Sequence, residues 1–331
     1  MIGRRTVVTG LLASPFISVA AAQQRTRPLL AILSPASRDA AVIGYVNVPF
    51  KQALRNLGWE AERNFDVVER FADNDESRLP ALAAELVALK PTVLFTNTSY
   101  AATVAANATR HIPIVVGPAG EATLTELAGG SFARPTTNVT GFVLTSAEID
   151  DKGITLLMEA TPAASRIGVL INPRNPVQAR YPELLVSARA SPGTSLVRLE
   201  TSGLADIDVA LTKAVAERIG ALFVPDDLLI AANPTMRERA LRFAAEARIP
   251  VGSSHLHYAR DGALLAMGPS IPALAAAAAG YVDRILKGAK PSDLPVQRPT
   301  ILTIIVNLKT AAALGITIPP SILIRADEVI E

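Results

Sequence analysis

Residues 91–121 constrain the fold of this chain more than any other stretch, because they form a predicted strand–helix–strand unit. An apolar run at 92–95 leads into the polar residues 97–99, an alanine-rich helical pattern follows, and a second apolar run occupies 112–116. Both runs are apolar throughout, which is typical of parallel strands that are covered by helices on both faces. The unit therefore predicts a parallel α/β sheet.

The same alternation of strand and helix patterns recurs before and after this unit. Further apolar runs lie at 29–33, 67–71, 166–171, 195–200, 221–224 and 251–254. Two successive sets of such units predict two similar doubly wound parallel-sheet lobes, joined by crossing strands, with a ligand cleft between them. We expect an N-terminal lobe at 23–138, a crossing strand at 139–145, a C-terminal lobe at 146–254, and segments that cross between the lobes at 255–331.

Composition narrows the classes of function. The chain has 331 residues, of which half are hydrophobic and 19% are charged, as in a folded globular protein. Without the arginine pair near the N-terminus, 30 basic residues face 30 acidic ones, so no electrostatic footprint for nucleic acid is present. The absence of cysteine excludes disulfides, zinc–thiolate sites and thiol catalysis.

Residues 1–22 have the pattern of a signal peptide. Two arginines precede an apolar stretch, and small residues follow it, so we expect cleavage before Gln23. The paired arginines fit the twin-arginine export route, and ordinary secretory leaders also carry such pairs. The apolar stretch is short and contains a Ser-Pro dipeptide, so we expect export to the periplasm without stable membrane insertion.

The candidate binding residues all follow the carboxyl ends of predicted strands, where ligands collect in open α/β sheets. They are Ser37, Asn97, Thr98, Ser99, Glu121, Asn172, Asp226, Ser253 and Ser254. Hydroxyl groups beside a helix start suit a carboxylate, and Asp226 suits an ammonium group, so the set predicts a zwitterion such as an amino acid. The alternative is that Thr98 and Ser99 only cap a helix and that Asp226 belongs to a cap or a solvated loop.

Catalytic and metal-binding patterns are weaker. The sequence has no nucleophile elbow, phosphate loop, zinc-protease motif or dinucleotide fingerprint. Adjacent residues on a strand point to opposite faces, which disfavours a triad built on Ser254 and His255. His255 and His257 would share a face of a strand, but no acidic cluster accompanies them, so no metal or cofactor is predicted. We expect a binding protein rather than an enzyme; an exported small-molecule-processing enzyme or a ligand sensor using the same cleft is the alternative.

Several further strings carry a resemblance to a known family. They are residues 78–87, 112–115, 138–141, 285–291, 307–311 and the segment from 314 to 320. On these strings the chain, from about residue 28 to its end, resembles the bacterial ABC-transporter substrate-binding proteins of the tryptophan/tyrosine-type group, which have a type I periplasmic-binding-protein fold. The resemblance implies capture of a small carboxylate-bearing solute, an amino acid or an aromatic acid, and its delivery to a permease driven by an ATPase.

The binding loops depart from that family more than the framework does. Tyr100 stands where the family often has proline, Glu121 where it has aspartate, and Ser254 where a glutamate is common. The resemblance therefore implies the fold and the class of function, and it leaves the identity of the ligand open. We expect a monomer.

Overall fold

The computed structural model describes residues 27–39, 44–175, 178, 181, 193–227, 230–231 and 233–331. The predicted signal peptide at 1–22 lies outside these residues. Most of the helix that the sequence predicts to end near residue 190 also lies outside them.

The first half of the chain alternates strands and helices as the sequence predicts. The elements are β1 (Leu29–Ser34), α1 (Asn47–Asn56), β2 (Asp66–Phe71), α2 (Leu79–Ala88), β3 (Val93–Thr96), α3 (Ser99–Ala108), β4 (Ile114–Gly120), α4 (Glu121–Leu127) and β5 (Val139–Thr145). The five strands form one parallel sheet in the order β2-β1-β3-β4-β5. A 3₁₀ turn, Glu76–Arg78, precedes α2.

The second half forms a seven-stranded sheet. Its elements are α5 (Ala147–Ala160), β6 (Arg166–Ile171), β7 (Ser195–Glu200), α6 (Ile207–Ala216), β8 (Ala221–Val224), α7 (Pro234–Glu246), β9 (Val251–Ser253), α8 (His257–Arg260), β10 (Leu265–Gly268), α9 (Ile271–Leu286), β11 (Thr303–Asn307), α10 (Leu308–Leu314), α11 (Pro320–Arg325) and β12 (Glu328–Ile330). The strand order is β12-β11-β10-β9-β8-β6-β7. Strands β10 and β11 pair antiparallel, whereas the other neighbours pair parallel.

Burial on both faces explains why the strands are apolar throughout. In β1, Ala31 and Leu33 pack into the core under α2 and α3, whereas Leu30 and Ile32 pack into the core under α1 and α9. On that second face the ring of Phe50 in α1 stacks on the ring of a phenylalanine in β3. Helices on both faces of a parallel sheet produce this pattern, which confirms the α/β prediction.

Two details of the first sheet add to the prediction. The apolar run at 112–116 continues as a strand, because β4 ends only at Gly120, and the helix begins directly at Glu121. The predicted crossing strand at 139–145 is β5, which forms the edge of the first sheet. A Cβ atom on Gly141 would lie 2.4 Å from the carbonyl oxygen of Val116, so only glycine fits this close approach of β5 to β4. Turn-forming residues on both sides of this strand predict where it begins and ends, but they do not show which sheet it joins.

The C-terminal segment, 255–331, contributes to both lobes. Strands β10, β11 and β12 extend the second sheet. Helix α9 instead packs on α1 and on the first sheet, where Ala278 and Val282 are fully buried. The chain therefore passes between the lobes again after β10, and both sheets direct their carboxyl edges toward one cleft.

Candidate functional site

A cavity of about 420 Å³ lies between the two lobes at the carboxyl ends of their strands. Its volume is that of an ordinary small-molecule site. The first lobe contributes residues that follow β3 and β4, and the second lobe contributes residues that follow β6 and β8. The lining includes Tyr45, Glu76, Asn97, Thr98, Ser99, Tyr100, Gly120, Asn172, Arg174, Asn175, Asp226 and Asp227.

The start of α3 forms part of the first-lobe wall. Thr98 is the N-cap residue, and its Oγ1 accepts a hydrogen bond of 3.2 Å from the N–H of Ala101. The Oγ of Ser99 accepts a hydrogen bond of 3.0 Å from the N–H of Gly120, which ties the start of α3 to the end of β4. Helix N-termini carry partial positive charge, so this wall suits a carboxylate.

The same wall contains a buried polar atom without a partner. Asn97 lines the cavity, is only 8% exposed, and its Oδ1 has no hydrogen-bond partner among the described residues. The hydroxyls of Ser34 and Thr96, at the ends of neighbouring strands β1 and β3, are also buried and unpartnered, but these two residues are not among the described lining residues. Buried polar groups normally have partners, so the Asn97 oxygen is suited to accept a hydrogen bond from a bound molecule.

Two adjacent carboxylates at the end of β8 form the second-lobe wall. Asp226 is 6% exposed, and its Oδ1 lies 3.1 Å from the Nδ1 of His255. The carboxylate of Asp227 accepts hydrogen bonds from the side-chain amides of Asn172, at 3.2 Å, and Asn175, at 2.9 Å. Neighbouring side chains therefore orient both carboxylates at the cavity wall.

A buried hydrogen-bond network lies behind Asp226. The hydroxyl of Ser254 accepts a hydrogen bond of 3.1 Å from the N–H of Asp226 and donates to Asp150 in α5. The hydroxyl of Tyr181 donates to the other oxygen of Asp150. Burial raises the pKa of Asp150 to about 7, against the opposing effect of the hydrogen bonds from Ser254 and Tyr181. The position of Asp226 is thereby linked to a carboxyl group that titrates near neutral pH.

Aromatic rings from the two lobes meet beside the cavity. The ring of Tyr45, which precedes α1, lies 5.3 Å from the ring of His257 and 6.5 Å from that of His255. The two imidazoles are stacked with their centroids 5.3 Å apart. Burial raises the pKa of Tyr45 and lowers the pKa of His257, so both rings are held in their neutral forms.

The structure divides the nine predicted site residues into two groups. Five of them line the cavity: Asn97, Thr98, Ser99, Asn172 and Asp226. The other four, Ser37, Glu121, Ser253 and Ser254, are not among the described lining residues.

Internal contacts account for three residues of the second group. Glu121 forms an ion pair with Arg298. The hydroxyl of Ser253 donates to the carbonyl of Val224 at 2.7 Å, and Ser254 belongs to the network behind Asp226. Ser37 is half-buried at the end of β1 and does not line the cavity.

Several polar residues that line the cavity were not among the predicted site residues. Arg174, Asn175 and Asp227 lie in loops that follow the carboxyl ends of predicted strands, next to the selected residues Asn172 and Asp226. Glu76 also follows the carboxyl end of a strand, β2, so the polar stretch after that strand could have identified it as a lining residue. Tyr45 lies in a predicted helical stretch, where an aromatic residue gives no such signal.

Residues 29–330 match the sequence model of a protein family, which is described as ABC transporter substrate binding protein. The chain belongs to this family. Members of this family are the solute-capturing components of ABC transporters. They deliver the solute to a membrane permease, and they usually lie outside the cytoplasm. The resemblance read from the sequence strings is thereby confirmed.

The chain is also similar to individual proteins. A tyrosine-binding protein of Clostridioides difficile (strain R20291) is 26% identical over 280 residues, which are 84% of this chain and 77% of the relative. A conserved domain protein of Vibrio cholerae has a TM-score of 0.81 at 26% identity, covering 91% of this chain and 99% of its own. The L-Trp complex of an ABC domain from Streptococcus pneumonia also has a TM-score of 0.81, at 22% identity, covering 92% and 100%.

Two further features of the described residues concern other classes of site. None of the described helices is long and apolar enough to cross a membrane. Within the same part of the chain, no group of three or more histidine, aspartate or glutamate side chains is placed to hold a metal ion.

Proposed function

We propose that the cavity between the lobes captures an amino acid or a related small carboxylate-bearing solute. The observation that carries this proposal is that the start of α3 and the carboxylate of Asp226 line one cavity from opposite lobes. The carboxylate of the solute would lie at the α3 N-terminus, near Ser99. Its ammonium group would pair with Asp226.

Each of the two walls has hydrogen-bonding capacity for such a ligand. The Oγ of Ser99 accepts from Gly120, and within the described residues its hydroxyl hydrogen has no acceptor, so it can donate to a carboxylate. On the same wall, Asn97 offers an unpartnered acceptor oxygen. On the other wall, Asp226 is fixed by His255 and Ser254 before any ligand arrives. A preorganised site of this kind loses little conformational entropy on binding.

Contact with both lobes also provides the reason for closure. A ligand shifts a conformational equilibrium only by its difference in affinity for the two states. A zwitterion that joins the α3 start to Asp226 gains its second set of contacts only when the lobes are close together. The closed, loaded protein is then the form that a permease and its ATPase would recognise.

A melting screen tests this proposal most economically. The protein is first unfolded and refolded to remove any solute, and its melting temperature is then measured with single amino acids, aromatic acids and simple carboxylates. A true ligand stabilises the native state by RT ln(1 + [L]/Kd), so the shift grows with concentration. The absence of any shift, together with turnover of one of these compounds, would replace binding by catalysis as the function.

We also propose that the protein is exported, matures by cleavage before Gln23 and acts as a monomer. The leader pattern at 1–22 supports export. N-terminal sequencing of protein recovered from the periplasm tests the cleavage site, and light scattering of the same sample tests the monomer. A mature chain that still carried the arginine pair would contradict the proposed processing.

A further inference from the structure

Three buried polar side chains at the carboxyl edge of the first sheet have hydrogen-bonding atoms without partners. Ser34 is 1% exposed, Asn47 is 2% exposed and Asn97 is 8% exposed. Within the described part of the chain, no partner meets the Ser34 hydroxyl, either polar atom of the Asn47 side chain or the Oδ1 of Asn97. A buried polar atom without a partner destabilises a folded protein, so a group of them points to a partner outside the chain. We call these three residues the polar cluster.

The two strand residues of the polar cluster lie side by side. Alternate residues of a strand share a face, and Ser34 comes two residues after Ile32, which packs under α1 and α9. Asn97 comes two residues after Phe95, which packs in the same core. Ile32 pairs with Phe95 in the register of β1 and β3. The same register therefore places Ser34 beside Asn97 on the face that α1 covers.

Helix α1 brings Asn47 to the same place. The helix connects the parallel strands β1 and β2, so it runs against them and starts at their carboxyl edge. The Phe50 ring stacks on the Phe95 ring, with their centroids 3.9 Å apart. Asn47 lies one helical turn before Phe50, and Asn97 lies two residues beyond Phe95, both toward that edge. The polar cluster therefore lies between the start of α1 and the ends of β1 and β3.

The polar cluster adjoins the ligand cavity. Asn97 lines this cavity, and so do Val46 and Ile271. These two apolar side chains pack in the core under α1 and α9, on the face of the sheet that carries the polar cluster. Ser34 and Asn47 are not among the described lining residues and lie behind Asn97. A group that enters the cavity on this side meets apolar walls and a polar end.

The chemistry of the polar cluster defines the group that it can receive. Its members are two amides and a hydroxyl, which are uncharged and together offer donors and acceptors. A charged group at this depth would lose its hydration and would find no opposite charge within the cluster. A hydrocarbon group would leave the buried polar atoms without partners. The cluster therefore suits a neutral group that both donates and accepts hydrogen bonds.

We infer that the solute is an amino acid whose side chain ends in a hydroxyl or carboxamide group, and that Asn97 selects this group. The inference rests on the proposed function, which places the carboxylate of the solute near Ser99 and its ammonium group at Asp226. The side chain of the solute enters on the α1 side of the cavity, and its polar end forms hydrogen bonds with Asn97. The rest of the polar cluster lies behind this contact.

Two matched pairs of amino acids test this inference by calorimetry on protein that refolding has freed of solute. L-tyrosine differs from L-phenylalanine by one hydroxyl, and L-glutamine matches L-methionine in length but ends in a carboxamide. We expect the polar member of at least one pair to bind at least about a hundredfold more tightly than its apolar partner, which leaves buried polar groups unpaired. L-glutamate should bind more weakly than L-glutamine, because the polar cluster does not neutralise its charge.

Leucine variants separate a binding role from a structural one. Asn97→Leu keeps the shape of the side chain, so the preference within a pair should disappear as the affinity for the polar member falls to that for the apolar one. Without ligand, Asn97→Leu and Asn47→Leu should melt at or above the temperature of the parent. Asn307→Leu is the matched control, because Asn307 is 5% exposed, donates to Ala259 and accepts from Thr310. Its melting temperature should fall.

The outcomes distinguish this inference from the proposed function. If L-phenylalanine and L-methionine bind as tightly as their polar partners, the inference is overturned while amino acid capture stands. If none of the amino acids binds, the proposed function fails and the inference fails with it. An equal loss of affinity for both members of a pair in Asn97→Leu contradicts a role in selection. A melting temperature of Asn47→Leu as low as that of Asn307→Leu would show that Asn47 is hydrogen-bonded within the folded chain, which overturns the polar cluster.

Discussion

The Nδ1 atom of His255 lies 3.1 Å from the Oδ1 atom of Asp226, and both side chains are almost fully buried. This contact joins the carboxyl ends of β8 and β9 behind the cavity wall. It holds the carboxylate that we propose as the ammonium contact in one orientation. A charged group buried at this depth is stable only when its hydrogen bonds are made.

Replacement of His255 by alanine should therefore destabilise the folded protein. The change leaves Asp226 without its ring donor and removes the stack with His257, at an expected cost of about 1–3 kcal/mol. Urea denaturation of the ligand-free protein measures this cost. His111→Ala is the matched control, because His111 is exposed and should fall within about 0.5 kcal/mol of the parent. Equal stability of the two variants would contradict the assigned role of His255.

The two hydroxyl residues at the start of α3 should behave differently. Thr98 caps the helix through Ala101, so Thr98→Ala should lower the free energy of unfolding by about 1 kcal/mol. Thr98→Ser keeps the capping oxygen and should recover most of that loss. Chemical denaturation of both variants checks the capping role. An alanine variant as stable as the serine variant would show that the cap contributes nothing.

Ser99 should matter chiefly for the ligand. Ser99→Ala removes one hydrogen bond to the carboxylate of the solute, at an expected cost in binding free energy of roughly 0.5–1.5 kcal/mol. The backbone N–H groups at the start of α3 would still hold the carboxylate, which limits the loss. Calorimetric titration measures the change. A variant that loses binding completely, with an unchanged melting temperature when ligand-free, would mean that Ser99 does more than we propose.

The buried carboxyl of Asp150 should make stability depend on pH. Burial raises its pKa from 3.8 to about 7, so the native state keeps a proton that the unfolded chain releases between these values. Stability from this group is complete below about pH 4, falls as pH rises toward 7 and then levels off. Asp150→Asn keeps the shape without the titration, so its stability should fall less between pH 5 and pH 7.5. Parallel slopes for parent and variant in denaturation experiments would refute this account.

The expectation that polar residues after strand ends lie close together led to the cavity, and tertiary contacts decided which of these residues line it. Asn97 and Asp226 follow apolar strands, so their sequence context was sufficient to place them at the cavity. Ser254 also follows the end of a strand, but its hydroxyl donates to Asp150, 104 residues earlier in the chain, and no local pattern reveals such a partner. Tyr45 reaches the site through ring contacts with His255 and His257, which come from the other lobe.

The fold was predictable for a related reason. Strands buried on both faces leave uninterrupted apolar runs, and these identify a parallel sheet without knowledge of distant contacts. Which of the two sheets a strand joins depends instead on contacts between residues that are far apart in the sequence. The placement of β5 at the edge of the first sheet depends on Gly141 approaching the backbone of Val116 in β4, which the sequence alone does not disclose.

Calorimetric titration of Asp226→Asn tests most directly the claim that a positively charged group of the solute is held by the second lobe. The amino acid that gives the largest melting shift is titrated into the parent and the variant, both freed of solute by refolding. We predict a loss of about 1.5–3 kcal/mol, or roughly 10- to 150-fold in Kd, with a ligand-free melting temperature close to that of the parent. An unchanged Kd would contradict the account, because the solute would then carry no positive charge at Asp226.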